Sequence, residues 1–176
     1  MDPSISNTIQ TIDQVLRDVY SSGVTATDDG EKEIHPTGMR AEQGLNIARI
    51  MNACGAQRTI ETGFAFGLSG LFMVRSALFN GLASDTQSPS HFAFDPYQSA
   101  NWGNAGRRLF ARAGVSHLLS VGERRSEHSL PELADAGEQF DLGLVDGDHK
   151  FDAAFVDVFY MTRIVRPGGV ILVDDT

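Results

Sequence analysis

The sequence predicts an α/β fold built on a doubly wound, mostly parallel sheet, and three observations carry that expectation. From Thr59 onward, short apolar strands alternate with helical stretches, the order of repeated βαβ units. The run Val170-Ile171-Leu172-Val173 is apolar without polar alternation, as expected of a strand covered by helices on both faces. Four of the strands finish on or beside a carboxylate: Glu61, Asp95, Asp146 and Asp174. In an open parallel sheet the ligand crevice lies at the carboxyl ends of the strands, so these acids fall on the ligand side.

Taken in order, residues 4–20 place Ile5, Ile9, Ile12, Leu16 and Val19 at helical spacing behind Pro3-Ser4. The stripe is read as packing on the core or on a second copy in a dimer, with a mobile lid as the alternative. Residues 21–38 read as loop, because Ser21-Ser22-Gly23, Asp28-Asp29-Gly30 and Pro36-Thr37-Gly38 are turn formers. A second helix covers residues 40–54, with Ile47, Ile50, Met51 and Cys54 on its buried side and Gly55 as its stop. Strands follow at 59–62, 91–95, 117–121, 141–146 and 170–174, and helices at 68–79, 102–113, from near 129, and at 151–165. Gly114 ends the 102–113 helix, and Pro167-Gly168-Gly169 turns the chain into the last strand.

Composition excludes several classes of function. At 176 residues, 41% of them hydrophobic, the chain suits one globular α/β domain. A formal charge of −9 argues against a nucleic-acid groove, which needs clustered Lys and Arg. The apolar runs are too short to span a bilayer, and no signal peptide is expected ahead of the fold. The single cysteine, Cys54, rules out an internal disulfide framework. A cytoplasmic protein with a small-molecule ligand, and no nucleic-acid or membrane partner, is the expectation.

The stretch TIETGFAFGLSG organises the chain. A strand ends at Glu61, a turn carries Gly63 and Gly67, and an apolar helix follows. Glycine suits backbone that bends sharply or lies against a ligand, and the free N–H groups of the helix start face the same space. This is a cofactor seat. Asp146 and Asp174, one crossover apart, meet if their strands are neighbours, since adjacent strands lie roughly 4.8 Å apart. With Asp175 they offer an oxygen-only set that favours a hard cation such as Mg²⁺, although each acid alone also suits a turn or a helix cap. His149, three residues past Asp146, is a candidate general base, with helix capping or solvent exposure as the plain alternative. His35, His91, His117 and His128 lack such company and are read as surface or packing residues. Trp102, Tyr97 and Phe64 are candidates for an aromatic pocket, against ordinary core packing.

ETGFAFGLS, FAFDPY, FDLGLVDGDHKFD and RPGGVILVDDT, in that order, resemble the class I S-adenosylmethionine-dependent methyltransferases. Within them the chain is most similar to the metal-dependent O-methyltransferases of the catechol and caffeoyl-CoA type, and its DGDH element to the macrolide sugar O-methyltransferases. The likeness covers about residues 38–176. It implies the Rossmann-like class I methyltransferase fold. It divides the chain into an N-terminal helix and loop at 1–38, a cap or dimer arm, and an S-adenosylmethionine-binding domain at 39–176.

By position, the resemblance implies that Glu61 lines the cofactor pocket, with Gly63, Phe64 and Gly67 near the methionine part. Ser69 would bind the methionine carboxylate, Asp95 the two ribose hydroxyls, and Ser126 would lie by the adenine. Asp146, also beside the cofactor, falls with Asp174 and Asp175 on the family's metal ligands, and His149 falls on the proposed base. Two departures stand out. Ala65 replaces the usual middle glycine of the loop, and the chain stops at Thr176, where the family's sheet continues into a final two-stranded hairpin. A fragment lacking those last two strands is the expectation. The function expected is Mg²⁺-assisted O-methylation of a small hydroxylated acceptor, sugar or catechol-like, by a homodimer. The alternatives are a metal-independent N- or O-methyltransferase and a non-catalytic cofactor-binding or assembly protein. A dinucleotide dehydrogenase fits poorly, since Gly63-Phe64-Ala65-Phe66-Gly67-Leu68 lacks the remaining glycines of that fingerprint.

Overall fold

The computed structural model describes residues 2–86 and 88–174. Helix α1 (Pro3–Ser22) leads into a hairpin of β1 (Val24–Thr27) and β2 (Gly30–Glu33), followed by α2 (Ala41–Cys54). The alternating part comprises β3 (Thr59–Thr62), α3 (Leu68–Phe79), β4 (His91–Phe94), α4 (Ala105–Arg112), β5 (Leu119–Gly122), α5 (Ser126–Asp135), β6 (Phe140–Val145), α6 (Phe151–Ile164) and β7 (Val165–Val173). Strands β3 to β7 form one sheet in the order β5-β4-β3-β6-β7, with every neighbouring pair parallel. The expected doubly wound sheet is therefore present. The chain winds outward from β3 to β5 and crosses back to β6, so the order reverses between β3 and β6. A ligand crevice belongs at such a reversal.

Strand alternation divides the core between two helix layers. Leu142 and Leu144 pack with Ile47 and Met51 of α2 and Met73 of α3. Ile60 and Val145 point the other way, onto Leu130 of α5 and Met161 and Ile164 of α6. The α1 stripe is buried within this same chain: Ile9, Ile12, Leu16 and Val19 join Leu71, Phe72 and Leu78 of α3 in one cluster. Asp13 reinforces that packing by accepting from Arg75 Nε at 2.5 Å, and Asp18 pairs with Arg112. The stripe thus packs on the core of its own chain, one of the two readings the sequence offered. Among the described residues, no helix is long and apolar enough to cross a membrane.

Several segments differ from the sequence expectation. The strand read at 117–121 begins only at Leu119, after a 3₁₀ turn over Ser116–Leu118, and the helix read from near 129 begins at Ser126. Three further differences concern the hairpin, α4 and β7. Residues 24–33, read as loop, form the β1–β2 hairpin; GEKE is wholly exposed, and in VTAT the buried residue is Thr25, not Val24 or Ala26. Tertiary contacts hold it: Asp28 N–H donates to Gly103 O at 2.8 Å, Asp28 accepts from Arg108 Nε at 2.7 Å, and Lys32 Nζ donates to Asn101 O at 2.6 Å. Helix α4 starts at Ala105, not near Trp102, because Asn104 adopts a left-handed conformation with φ 56°. Strand β7 begins at Val165, paired with Phe140, and absorbs Pro167-Gly168-Gly169 as an irregularity before Val170 pairs with Leu142.

Asp141 ties the start of β6 to its neighbours. Its Oδ2 accepts the N–H groups of Gln57 and Arg58, both at 2.8 Å, and Oδ1 accepts Arg166 Nε at 2.6 Å. Burial works to raise its pKa, but Arg166 and the Arg58 and Gln57 amides outweigh it and hold the carboxyl below its ordinary value. A depressed folded pKa means that the stabilisation is complete above the unfolded value of roughly 4 and is lost as pH falls through the folded one. Asp141→Asn is expected to lower stability at pH 7 by about 1–3 kcal/mol, with the gap narrowing in acid. Urea unfolding at pH 7 and below pH 4 measures this, and equal stability at pH 7 would refute it.

Candidate active site

A cleft of about 920 Å³ opens at the carboxyl ends of β3, β4 and β6. Its base is the turn between β3 and α3. Gly63 has φ 83°, and its N–H donates to Phe94 O at 2.9 Å. A Cβ at Gly63 would lie 2.0 Å from the carbonyl oxygen of Asp146, so the β3 and β6 turns touch backbone to backbone. Gly67, at φ 73°, caps α3 without any side-chain hydrogen bond. The first N–H groups of α3 have no intrahelical acceptor and face the cleft side, a favourable seat for a carboxylate. Ala65 sits at φ 43°, in the left-handed region where glycine is favoured.

Asp95 fixes this turn. Its Oδ2 accepts the N–H groups of Ala65 (2.8 Å) and Phe64 (3.3 Å), and Oδ1 accepts that of Tyr97 (2.9 Å). A carboxylate offers about four acceptor sites, so about one remains for a ligand. The two-hydroxyl grip expected of Asp95 requires one of these main-chain bonds to yield.

Glu61 does not line the cleft. It is 0% exposed, beneath the turn, where it accepts from Ser69 Oγ at 2.5 Å and lies 3.0 Å from His91 Nε2. The physical reason is strand alternation: Glu61 points into the α3 layer, not along the strand axis. Ser69 does reach the cleft, but its one hydroxyl proton goes to Glu61, so its remaining donor toward a ligand is the main-chain N–H. Gly63, Phe64, Ser69, Asp95, Ser126, Asp146 and His149 all contribute to the wall, and Gly67 stands behind it against Gly106 and Phe64. Tyr97 and Trp102 also lie on the wall, with the Trp102 ring edge-on to Phe66 at 5.1 Å.

The second group of expected residues is only partly assembled. The register Val145↔Val173 puts Asp146 and Asp174 side by side just past their strands, and Asp174 N–H donates to Val145 O at 3.0 Å. Asp174 lies beside the cleft and is not on its wall, and Asp175 falls outside the described residues. Among the described residues, no three His, Cys, Asp or Glu side chains converge on a point that would hold a metal ion. The two described carboxylates there, Asp146 and Asp174, are oxygen donors of the kind a hard cation takes. His149 Nε2 lies 3.9 Å from Asp146 Oδ1, beyond hydrogen-bond length, with 51% of the His149 side chain and 26% of the Asp146 side chain exposed.

Asp157, which the sequence analysis did not single out, is buried under the cleft floor. Its Oδ1 and the nearby Thr62 Oγ1 have no hydrogen-bond partner. Burial raises its pKa above the ordinary value, and the Ser126 and Thr62 hydroxyls lie close enough to temper that rise without Oδ1 or Thr62 Oγ1 closing a bond. A raised carboxyl pKa destabilises the fold where the group must ionise. That penalty is absent below the unfolded value of roughly 4 and complete above the folded one. Asp157→Asn is therefore expected to raise the melting temperature at pH 8, by about 2–6 °C, and to make little difference near pH 4. A lower melting temperature at pH 8 would show that the carboxylate is satisfied in solution.

The sheet order and the loop cleft define a doubly wound α/β domain with its cleft at the point where the strand order reverses. The chain belongs to the methyltransferase domain family, whose pattern matches residues 60–176. It is 28% identical over 144 residues to a catechol O-methyltransferase of Mycobacterium tuberculosis, covering 81% of this chain and 59% of that protein. It is 26% identical over 140 residues to a probable caffeoyl-CoA O-methyltransferase of Dictyostelium discoideum, covering 77% and 55%. Among solved structures, an O-methyltransferase from Bacillus cereus in complex with SAH superposes with a TM-score of 0.65 at 20% identity, over 93% of this chain and 65% of that one. An O-methyltransferase from Streptomyces achromogenes in complex with SAM gives 0.65 at 21% identity, over 98% and 65%. The chain thus spans a little over half the length of the curated relatives it matches.

Proposed function

We propose that this chain forms the cofactor-binding part of an S-adenosylmethionine-dependent O-methyltransferase that acts on a small hydroxylated acceptor, sugar or catechol-like. The observation that carries the reading is the cleft at the β3/β6 reversal. There the turn from Gly63 to Ser69 and the Asp95 carboxylate face Asp146 and His149 across one space. The fold of the SAM- and SAH-bound O-methyltransferases supports it.

In this reading the α3 N–H groups receive the methionine carboxylate, and the remaining acceptor site of Asp95 takes a ribose hydroxyl. Ser126, at the start of α5, borders the adenine end. His149, half exposed at the cleft mouth, takes the proton of the acceptor hydroxyl as the oxygen attacks the methyl group in line. Asp146 and Asp174 would hold a hard divalent cation such as Mg²⁺, with Asp175 the expected third ligand. Such an ion, when bound, lowers the pKa of an acceptor hydroxyl. Alignment of two bound reactants supplies most of the acceleration.

Calorimetry with S-adenosylhomocysteine, and labelled-methyl transfer to a panel of catechols and sugars with and without EDTA, test the proposal. Binding, together with EDTA-sensitive transfer, is expected. Transfer indifferent to EDTA would replace the metal-assisted reading with a metal-independent one, and binding without transfer to any acceptor would favour a non-catalytic cofactor-binding protein. No binding would overturn the reading. His149→Ala is expected to lower kcat on the order of 10²–10⁴-fold while leaving cofactor affinity within a few-fold. Equal losses in both would assign His149 to the cofactor site.

A further inference from the structure

His91 lies at the start of β4, and its ring is fully buried. Its Nδ1 lies 2.8 Å from Thr59 Oγ1 and its Nε2 lies 3.0 Å from Glu61 Oε1, while Glu61 Oε2 accepts the Ser69 hydroxyl at 2.5 Å. The imidazole is thus the second link of a chain from the root of β3 to the cleft wall at Ser69. It is also packed tightly in space. A Cβ on Gly70 would come within 2.5 Å of Nε2, so the first turn of α3 rests directly on the ring. Phe64, from the cofactor turn, lies 6.3 Å away on centroids, and Phe110 of α4 stacks at 6.2 Å and 17°. Apart from Phe110 of α4, the groups that hold the ring belong to β3, the turn after it and α3, all of which border the cleft.

A buried carboxylate must have its lone pairs satisfied, and Glu61 has two donors, Ser69 and His91, one on each oxygen. His91 Nε2–H donates to Glu61, which leaves Nδ1 to accept from the Thr59 hydroxyl. We infer that His91 is a positioning residue for the cofactor, its Nε2–H bond holding Glu61, and through Glu61 the Ser69 hydroxyl, in the orientation that leaves the α3 N–H groups open to the cleft. This rests on the S-adenosylmethionine reading above. Without the Nε2 donor, Glu61 has one oxygen without a partner and competes for the N–H groups that the ligand needs.

Two substitutions separate the ring nitrogens. Glutamine places its amide nitrogen near the position of Nε2 and can donate to Glu61, whereas asparagine is too short and reaches only the Nδ1 position. In the purified chain, His91→Asn is expected to weaken S-adenosylhomocysteine binding by roughly tenfold or more, and His91→Gln to bind within a few-fold of the parent. Binding by His91→Asn equal to the parent, accompanied only by a lower melting temperature, would reduce His91 to a packing residue and overturn the inference. Nitrogen-15 NMR of the unaltered protein tests it without any variant: a proton on Nε2 is expected, and protonation at Nδ1 alone would overturn it. Failure of the parent chain to bind would overturn the cofactor reading itself, and is distinct from binding by parent and His91→Asn alike.

Discussion

The structure depends on one steric constraint, the contact of the β3 turn with the β6 turn. Gly63 stands where a Cβ would collide with the Asp146 carbonyl, and the Asp146 N–H donates back to Thr62 O at 2.9 Å. This joins the two strands between which the sheet order reverses, at the level where their polar ends emerge. Any side chain at residue 63 would push the turns apart, and the cofactor side of the cleft would separate from the side that holds Asp146 and His149. A left-handed φ at the same residue makes glycine doubly required.

Three buried acids around this contact are each handled differently. Asp95 is neutralised by main-chain N–H groups and serves as the pin of the turn. Glu61 is satisfied by side-chain donors, Ser69 and His91, and links strand to helix. Asp157 is left short of partners, and burial drives its carboxyl toward the neutral form. The first two are held by bonds that order the cofactor turn. The third is a cost, tolerated beneath the floor of the cleft, and such unsatisfied groups in folded proteins concentrate near functional sites.

The parts of this arrangement that were legible in the sequence are those with local signals. The βα alternation, the unbroken apolar run of β7 and the acids at strand ends reported the sheet and its ligand edge, because burial on both faces and turn chemistry are written over a few consecutive residues. The β1–β2 hairpin was illegible since its strands are polar and its hold on the chain comes from Gly103, Arg108 and Asn101, far along the sequence. The resemblance put Glu61 on the wall by position alone; which face it takes depends on the pleat, and a one-residue change reverses that face. His91 looked solitary for the same reason that it matters. Its partners Thr59, Glu61 and Gly70 reach it only once β3 and β4 are paired in register.

The two sides of the cleft also differ in how firmly they are built, and this bears on mechanism. The cofactor side is over-determined: the turn at 63–67 is fixed by Asp95, by Gln98 Nε2 donating to Ala65 O at 2.9 Å, and by the Glu61–His91 link below. The opposite side, from Asp146 to Lys150, carries half-exposed side chains, and α6 begins there with no side-chain cap. On the proposed methyltransferase reading, a donor on the firmly fixed side and an acceptor on the more exposed side suit a reaction in which the donor is always the same molecule and the acceptor must be admitted and released. On that reading the rigid side would set the direction of transfer, and the choice of acceptor would fall to the open side.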